Sequence, residues 1–85
     1  MYRVIWTKPV KKELALISID LTKRICFKIT EYLAKDPINL SEGLKGEFIG
    51  KRRYRYGDYR IIFDFKGEGK VIRILRIGHR SEIYL

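Results

Sequence analysis

The sequence contains few of the residues that build disulfides, metal sites and membrane-spanning helices. One cysteine, Cys26, and one histidine, His79, occur among 85 residues, so the chain can form neither an intrachain disulfide nor a cysteine zinc site. No apolar run approaches the roughly 18 residues of a membrane helix, and the N-terminus lacks the pattern of a signal peptide. These absences predict a reduced, cytoplasmic protein with no membrane partner, no metal and no cofactor.

Acidic residues are also scarce relative to basic ones. Nineteen Lys and Arg stand against ten Asp and Glu, for a formal net charge of +9 at pH 7. The excess is uneven, because residues 1–42 hold 8 basic and 5 acidic residues whereas residues 43–85 hold 11 and 5. Such a charge predicts a polyanionic partner: RNA, DNA, an acidic protein or an anionic membrane surface.

The first half of the chain has the patterns of one strand and two helices. Tyr2 to Trp6 is rich in strand-forming residues. The spacing of apolar residues then predicts a helical hairpin from Pro9 to Lys35, with a break near Ser18. Thr7 is expected to cap the first helix, Ser18 or Asp20 the second, and Asp36-Pro37 to end it. The predicted buried faces comprise Val10, Leu14, Ile17, Leu21, Ile25, Ile29, Tyr32 and Leu33.

In the second half of the chain, the side-chain pattern alternates with a period of two residues, which is typical of strands. Residues 37–46, with two glycines and a proline, are predicted to form a connecting loop. Turns are predicted at Gly57-Asp58 and at Gly67-Glu68-Gly69, and a slip in the alternation predicts a β-bulge near Leu75-Arg76. The order β-α-α-β-β-β therefore predicts a single α+β domain over residues 1–85, with the helical hairpin packed on a small, mainly antiparallel sheet.

The predicted hairpin separates aromatic residues from basic ones. With a two-residue loop, Tyr56 pairs with Tyr59, and Arg55 with Arg60, which places two like charges directly opposite each other at a cost of up to about 1 kcal/mol. A phosphate between them would convert that repulsion into two charge-assisted contacts. Alternatively, the face is merely solvated and neutralised by acids such as Asp58 and Asp64. We call the surface opposite the helices the basic face; it is predicted to carry Lys51, Arg53, Arg55 and Arg60.

Three segments in order resemble the RelE toxins of the RelE/ParE superfamily. They are Leu44-Lys45-Gly46, the run RYRYGDYR over residues 53–60, and Ile77-Gly78-His79-Arg80 with a following Ile83-Tyr84. The helical hairpin between the first strand and the sheet is also similar, so the resemblance covers essentially the whole chain. It implies a RelE-like fold and a toxin of a type II toxin–antitoxin system, held inactive by an acidic, RelB-like antitoxin.

The resemblance also implies an activity, which is ribosome-dependent and metal-independent cleavage of mRNA in the A site. In that reaction the 2′-hydroxyl attacks the adjacent phosphate. Arg60 and Arg80 would stabilise the phosphorane, and Lys51, whose protonated form is disfavoured by neighbouring like charges, is the candidate proton acceptor. Tyr84 would stack on a base or protonate the leaving oxygen. The catalytic positions implied are Lys51, Arg53, Arg60, Arg80 and Tyr84, and the RNA-binding positions are Lys45 and Arg55.

Some relatives carry lysine at the position of Arg53, and an arginine there stays protonated and cannot serve as a base. Three other functions fit the sequence: a ParE-like DNA gyrase inhibitor with the same fold and no nuclease activity, an RNA-binding module without catalysis, and an inactive toxin. The arginines and lysine of the basic face, together with Tyr84, favour the nuclease over these three functions. His79, next to the turn residue Gly78, is expected to be structural or solvent-facing.

Overall fold

The computed structural model describes residues 1–66 and 69–83. Its elements in chain order are β1 (Arg3–Trp6), α1 (Lys8–Ala15), α2 (Ile19–Glu31), α3 (Pro37–Leu40), β2 (Glu42–Gly43), β3 (Arg52–Tyr56), β4 (Tyr59–Phe65) and β5 (Val71–His79). Single turns of 3₁₀ helix lie at Leu33–Lys35 and Gly46–Phe48. The α+β prediction is confirmed. Of the helices described, none is long and apolar enough to cross a membrane.

The five strands form one sheet in the order β1-β5-β4-β3-β2. Only the β1–β5 pair is parallel, which agrees with the prediction of a mainly antiparallel sheet. In the pairing of β4 with β5, Ile62 lies opposite Arg76 and Phe63 lies opposite Ile74. Leu75 is therefore an extra residue in β5, with no residue opposite it in β4. The predicted bulge is therefore confirmed. The second predicted turn lies partly outside the described residues, at Gly67 and Glu68.

The two long helices begin close to the predicted positions, but α2 ends at Glu31 rather than at Lys35, and a 3₁₀ turn over Leu33–Lys35 follows it. The Ser18 hydroxyl accepts a hydrogen bond from the backbone N–H of Leu21, at 3.1 Å, and so caps α2. Thr7 occupies the N-cap position of α1, but its hydroxyl makes no cap. It donates instead to the Ile74 carbonyl at 2.6 Å, because β1 leads directly into α1 beside β5. This hydroxyl therefore joins two distant segments of the sheet rather than stabilising a helix end.

The predicted loop at residues 37–46 contains regular structure. Pro37 begins the single-turn helix α3, where its fixed φ suits a first helical position. Glu42 and Gly43 pair with Arg53 and Arg52 as a two-residue edge strand. The guanidinium of Arg52 donates to the Ser41 hydroxyl and carbonyl and so holds the segment against β3. The predicted connecting loop therefore contains a helical turn and an edge strand, and the strand was missed because its contacts are tertiary and leave no local pattern.

The hydrophobic core lies between the helices and one face of the sheet. The alternation that places Ile61 and Phe63 in it also places Tyr54, Tyr56 and Tyr59 against it. Tyr32 was predicted to be buried, but it is 48% exposed because α2 ends at Glu31 and the chain turns there. The core cluster consists of Val10, Ile25, Ile29, Leu33, Ala34, Ile61, Phe63, Ile72, Ile74 and Ile77.

A carboxylate pairs with the part of β5 that lies beyond the end of β1. β1 pairs with β5 only as far as Ile74, so the following backbone groups of β5 need another partner. Glu13 of α1 supplies it: Oε1 accepts from the Ile77 N–H at 2.8 Å, and Oε2 accepts from Arg76 Nε at 2.7 Å. The side chain of Glu13 is only 22% exposed. Glu13 therefore fastens α1 to the part of β5 that β1 does not reach.

We expect Glu13→Ala to lower the free energy of unfolding by about 2 kcal/mol, because it removes a charged acceptor from a partly buried N–H. Glu13→Gln keeps an oxygen for Ile77 and should lose less. Chemical denaturation of the three proteins measures the difference. Glu31→Ala, an exposed change at the end of α2, is the control. Equal losses for Glu13→Ala and the control would show that the edge contact contributes nothing.

Candidate nucleic-acid interface

The β3–β4 hairpin has the predicted register. Gly57 adopts a φ of +57°, which side-chain-bearing residues rarely adopt, and the two-residue turn places Tyr56 opposite Tyr59. Arg55 lies directly opposite Arg60. Because successive side chains alternate, the tyrosines face the helices and the arginines face away from them. The basic face is thus a consequence of the turn as well as of the composition.

At the outer edge of the basic face, a carboxylate holds two arginines. Glu42 accepts a hydrogen bond from Arg53 Nη2 at 2.7 Å, and its other oxygen lies 3.6 Å from Arg55 Nη2. The hydrogen bond from Arg53, followed by the charge of Arg55, lowers the pKa of Glu42 below its ordinary value of 4.5. We call Glu42, Arg53 and Arg55 the edge cluster.

Glu42 was not predicted as a neighbour of the basic face. Asp58 and Asp64 were the acids expected to neutralise it: Asp58 Oδ1 lies 3.6 Å from Arg80 Nε, and Asp64 pairs with Arg73 rather than with an arginine predicted on that face. Glu42 lies eleven residues before Arg53, on a strand of two residues. Periodicity cannot detect so short a strand, and the pairing becomes evident only from its register with β3.

At the other end of the basic face, two further arginines meet the hairpin turn. Arg60 Nη1 donates to the carbonyls of Gly57 and Tyr59, at 2.7 and 2.9 Å. The backbone N–H of Arg80 donates to the Asp58 carbonyl at 2.8 Å, and Arg80 Nε lies 3.6 Å from Asp58 Oδ1. One turn therefore positions an arginine from β4 and an arginine that follows β5. We call Asp58, Arg60 and Arg80 the turn cluster.

The segment after β5 folds back over the basic face. Gly78 lies opposite Arg60, so a side chain at Gly78 would point to that face. The space is taken by Ile83, whose Cδ1 lies 3.3 Å from an ideal Cβ at Gly78 and which is buried. His79 lies opposite Tyr59, on the side that faces the helices. The alternation then returns Arg80 to the basic face.

The remaining candidate positions are placed as follows. Lys51 immediately precedes β3, and the alternation places it on the same side as Arg53; its N–H donates to the Phe48 carbonyl at 3.0 Å. Lys45 is exposed at the start of the turn Gly46–Phe48. Tyr84 lies outside the described residues. The structure thus brings Arg53, Arg55, Arg60 and Arg80 onto one face.

This arrangement suits the binding of phosphate. Guanidinium groups make charge-assisted and often bidentate hydrogen bonds to phosphate oxygens, and their charge persists at any physiological pH. Within residues 1–66 and 69–83, no three His, Cys, Asp or Glu side chains are grouped so that they could hold a metal ion. The face can therefore bind a phosphodiester and stabilise added negative charge upon it.

The lowered pKa of Glu42 gives the edge cluster a pH dependence. A carboxyl whose folded-state pKa is lowered stabilises the fold above its unfolded-state pKa, and this contribution is lost as the pH falls through the folded-state value. We expect Glu42→Gln to melt at a lower temperature than the unsubstituted protein at pH 7, and the difference between the two melting temperatures to shrink as the pH falls below the ordinary carboxyl pKa of 4.5. Thermal melts across this range test it, with Glu31→Gln as control. A difference that does not change with pH would contradict the ion pair.

Comparisons with known proteins identify the family of this chain. Residues 4–84 match the family model described as ParE toxin of type II toxin–antitoxin system, parDE. Toxin RelG of Mycobacterium tuberculosis is 29% identical over 87 residues, covering 98% of this chain and 95% of that protein.

Two solved structures share the fold. The toxin–antitoxin complex RelBE2 from Mycobacterium tuberculosis matches with a TM-score of 0.87 at 24% identity, over 93% of this chain and 98% of the matched one. An archaeal RelE–RelB complex from Pyrococcus horikoshii matches with a TM-score of 0.72 at 28% identity, over 95% and 97%. Since the family model spans nearly the whole chain, this protein belongs to the RelE/ParE family of type II toxin–antitoxin toxins.

Proposed function

We propose that this toxin is an endoribonuclease that cuts mRNA in the ribosomal A site and so inhibits translation. The observation that carries the proposal is the meeting of four arginines on one sheet face, two of them directly opposite each other. Like charges at such positions destabilise a sheet in the absence of a ligand. A phosphodiester lying across the face would relieve that repulsion.

The chemistry assigned to the face is an internal transesterification. The 2′-oxygen of the ribose forms a bond to the adjacent phosphorus, the bond from phosphorus to the 5′-oxygen breaks, and the products are a 2′,3′-cyclic phosphate and a 5′-hydroxyl. Arg60 and Arg80, in the turn cluster, stabilise the charge that develops on the phosphorane. Arg53 and Arg55 bind the neighbouring backbone, and Lys45 contacts the RNA from the adjacent loop.

Two groups can accept the proton of the 2′-hydroxyl. Lys51 is the amine next to the basic face, and Glu42 is a carboxylate that the face itself holds in its ionised form. Loss of cleavage in Lys51→Ala with retention in Glu42→Gln assigns the role to the amine, and the reverse assigns it to the carboxylate. Tyr84 is the group proposed to stack on a base or to return a proton to the 5′-oxygen. The ribosome would complete the site by holding the RNA in a reactive geometry.

We expect Arg60→Ala and Arg80→Ala each to reduce cleavage at least about 100-fold, because each removes a cation from the developing charge. The assay maps mRNA 5′ ends by primer extension after the toxin is added to a translation extract. Thermal melts establish that each variant folds, and Arg24→Ala, an exposed arginine on α2, is the matched control. Full cleavage by a folded Arg60 or Arg80 variant would remove that residue from the site.

The same extract distinguishes the rival functions. Cuts phased to codons support the nuclease, and their absence from naked RNA supports the dependence on the ribosome. Intact mRNA together with inhibited DNA gyrase would instead support a ParE-like activity, which the name of the matching family model makes the foremost rival. Binding of RNA with neither effect would identify a binding module, and no binding at all would indicate an inactive toxin.

We further propose that a RelB-like antitoxin neutralises the toxin by laying an acidic segment across the basic face. Several structures that share this fold are toxin–antitoxin complexes. Carboxylates already contact the basic face from within, at 2.7 Å in the edge cluster and 3.6 Å in the turn cluster. An acidic segment would extend this pattern, would exclude RNA, and should fold only on binding.

We expect the charge reversals Arg53→Glu and Arg55→Glu to weaken antitoxin binding, since each replaces an attraction with a repulsion. The loss should be larger at low salt than at high salt because the Debye length shortens as salt rises. Calorimetry at two salt concentrations measures it. Arg24→Glu, on the helical side, makes the same change of charge away from the face and should leave the affinity unchanged. Equal affinities for all the variants would show that the antitoxin binds elsewhere.

A further inference from the structure

His79, the last residue of β5, makes several contacts with the turn over residues 80–83, which we call the terminal turn. Its carbonyl accepts from the N–H groups of Glu82 and Ile83, at 2.9 and 3.0 Å. Its Nδ1 accepts from the Ser81 N–H at 3.1 Å and lies 2.8 Å from the Ser81 hydroxyl. Its ring packs edge-on to Tyr59, with 5.8 Å between the ring centroids. One residue thus binds the three residues that follow Arg80.

These contacts determine where Arg80 lies. The backbone of Arg80 is fixed on one side by its hydrogen bond to Asp58 and on the other by the turn that His79 closes. The imidazole itself faces the helices, beside Glu13, Arg76 and Glu82, which line the same groove of about 420 Å³. The imidazole lies on the opposite side of the sheet from the guanidinium groups of the basic face. It is therefore not placed to exchange a proton with a phosphodiester bound to that face.

We propose that His79 is a positioning residue, whose Nδ1 closes the terminal turn and thereby holds Arg80 at the phosphate-binding face. The inference rests on the proposed function, since it assigns to Arg80 a contact with RNA. The Ser81 N–H points at Nδ1, so that nitrogen acts as the acceptor and Nε2 carries the proton in the neutral ring. The required property is therefore an acceptor two bonds from Cβ rather than acid–base chemistry.

Two substitutions at His79 distinguish a role as a hydrogen-bond acceptor from a role in filling space. Asparagine places a side-chain oxygen near the position of Nδ1 and readily accepts from the N–H two residues ahead. Glutamine is longer and places its amide near the position of Nε2. We therefore expect His79→Asn to keep cleavage close to that of the unsubstituted protein, and His79→Gln to lose about tenfold, which is the scale of one hydrogen bond.

The decisive measurement is a double-mutant cycle on RNA binding. The probe is a short RNA with 2′-O-methyl groups, which cannot be cut, and the proteins combine His79→Gln with Arg80→Ala. If His79 acts through Arg80, His79→Gln weakens binding about fivefold when Arg80 is present and has no effect when it is absent. An equal loss in both backgrounds would overturn the inference, as would a loss of cleavage in a folded His79→Asn variant equal to that in His79→Gln.

Amide exchange keeps this test independent of the nuclease. Hydrogen–deuterium exchange should show the N–H groups of Ser81, Glu82 and Ile83 protected in the unsubstituted protein and in His79→Asn, and exposed in His79→Gln, while β4 stays protected in all three. Protection that persists in His79→Gln would show that His79 does not close the turn. If the unsubstituted protein neither binds nor cuts RNA, the proposed function fails, and the exchange data still decide whether His79 holds the turn.

Discussion

The two-residue turn at Gly57-Asp58 is the constraint on which the candidate site depends. It fixes the register of β3 against β4, and a shift by one residue would exchange tyrosines for arginines in the core. The cost of that exchange is large, because buried guanidinium groups without partners are among the least tolerated groups in a protein interior. The position of the basic face is therefore enforced by the stability of the core on the other side of the same strands.

The same turn also receives the segment that follows β5. Its Asp58 carbonyl pairs with the backbone of Arg80, and its Gly57 carbonyl binds the Arg60 side chain. Two arginines that are twenty residues apart in sequence are thus attached to adjacent residues of one loop. Carboxylates at both ends of the face partly balance its charge, which allows four arginines to share one surface before any ligand binds.

The sequence predicted those features that depend on alternation and local turn chemistry. The hairpin register, the separation of tyrosines from arginines, the bulge and the cap at Ser18 were correct because each follows from a periodic pattern or from a residue with a specific backbone preference. The strand at Glu42–Gly43 and the hydroxyl bond of Thr7 were missed because they arise from contacts between distant segments. Tyr32 was misplaced because α2 ends at Glu31, two residues before the apolar pattern does.

The bulge at Leu75 determines which side of the sheet each later residue of β5 faces. Before it, Ile72 and Ile74 face the core, so an uninterrupted strand would send every even-numbered residue that follows toward the helices. The inserted residue reverses this assignment, and Ile77 takes up the core side while Gly78 and Arg80 turn outward. A regular strand with the same residues and no bulge would direct the imidazole outward and the guanidinium toward the core. Which side chains reach the basic face thus depends on this one inserted residue as much as on the identity of the residues that follow it.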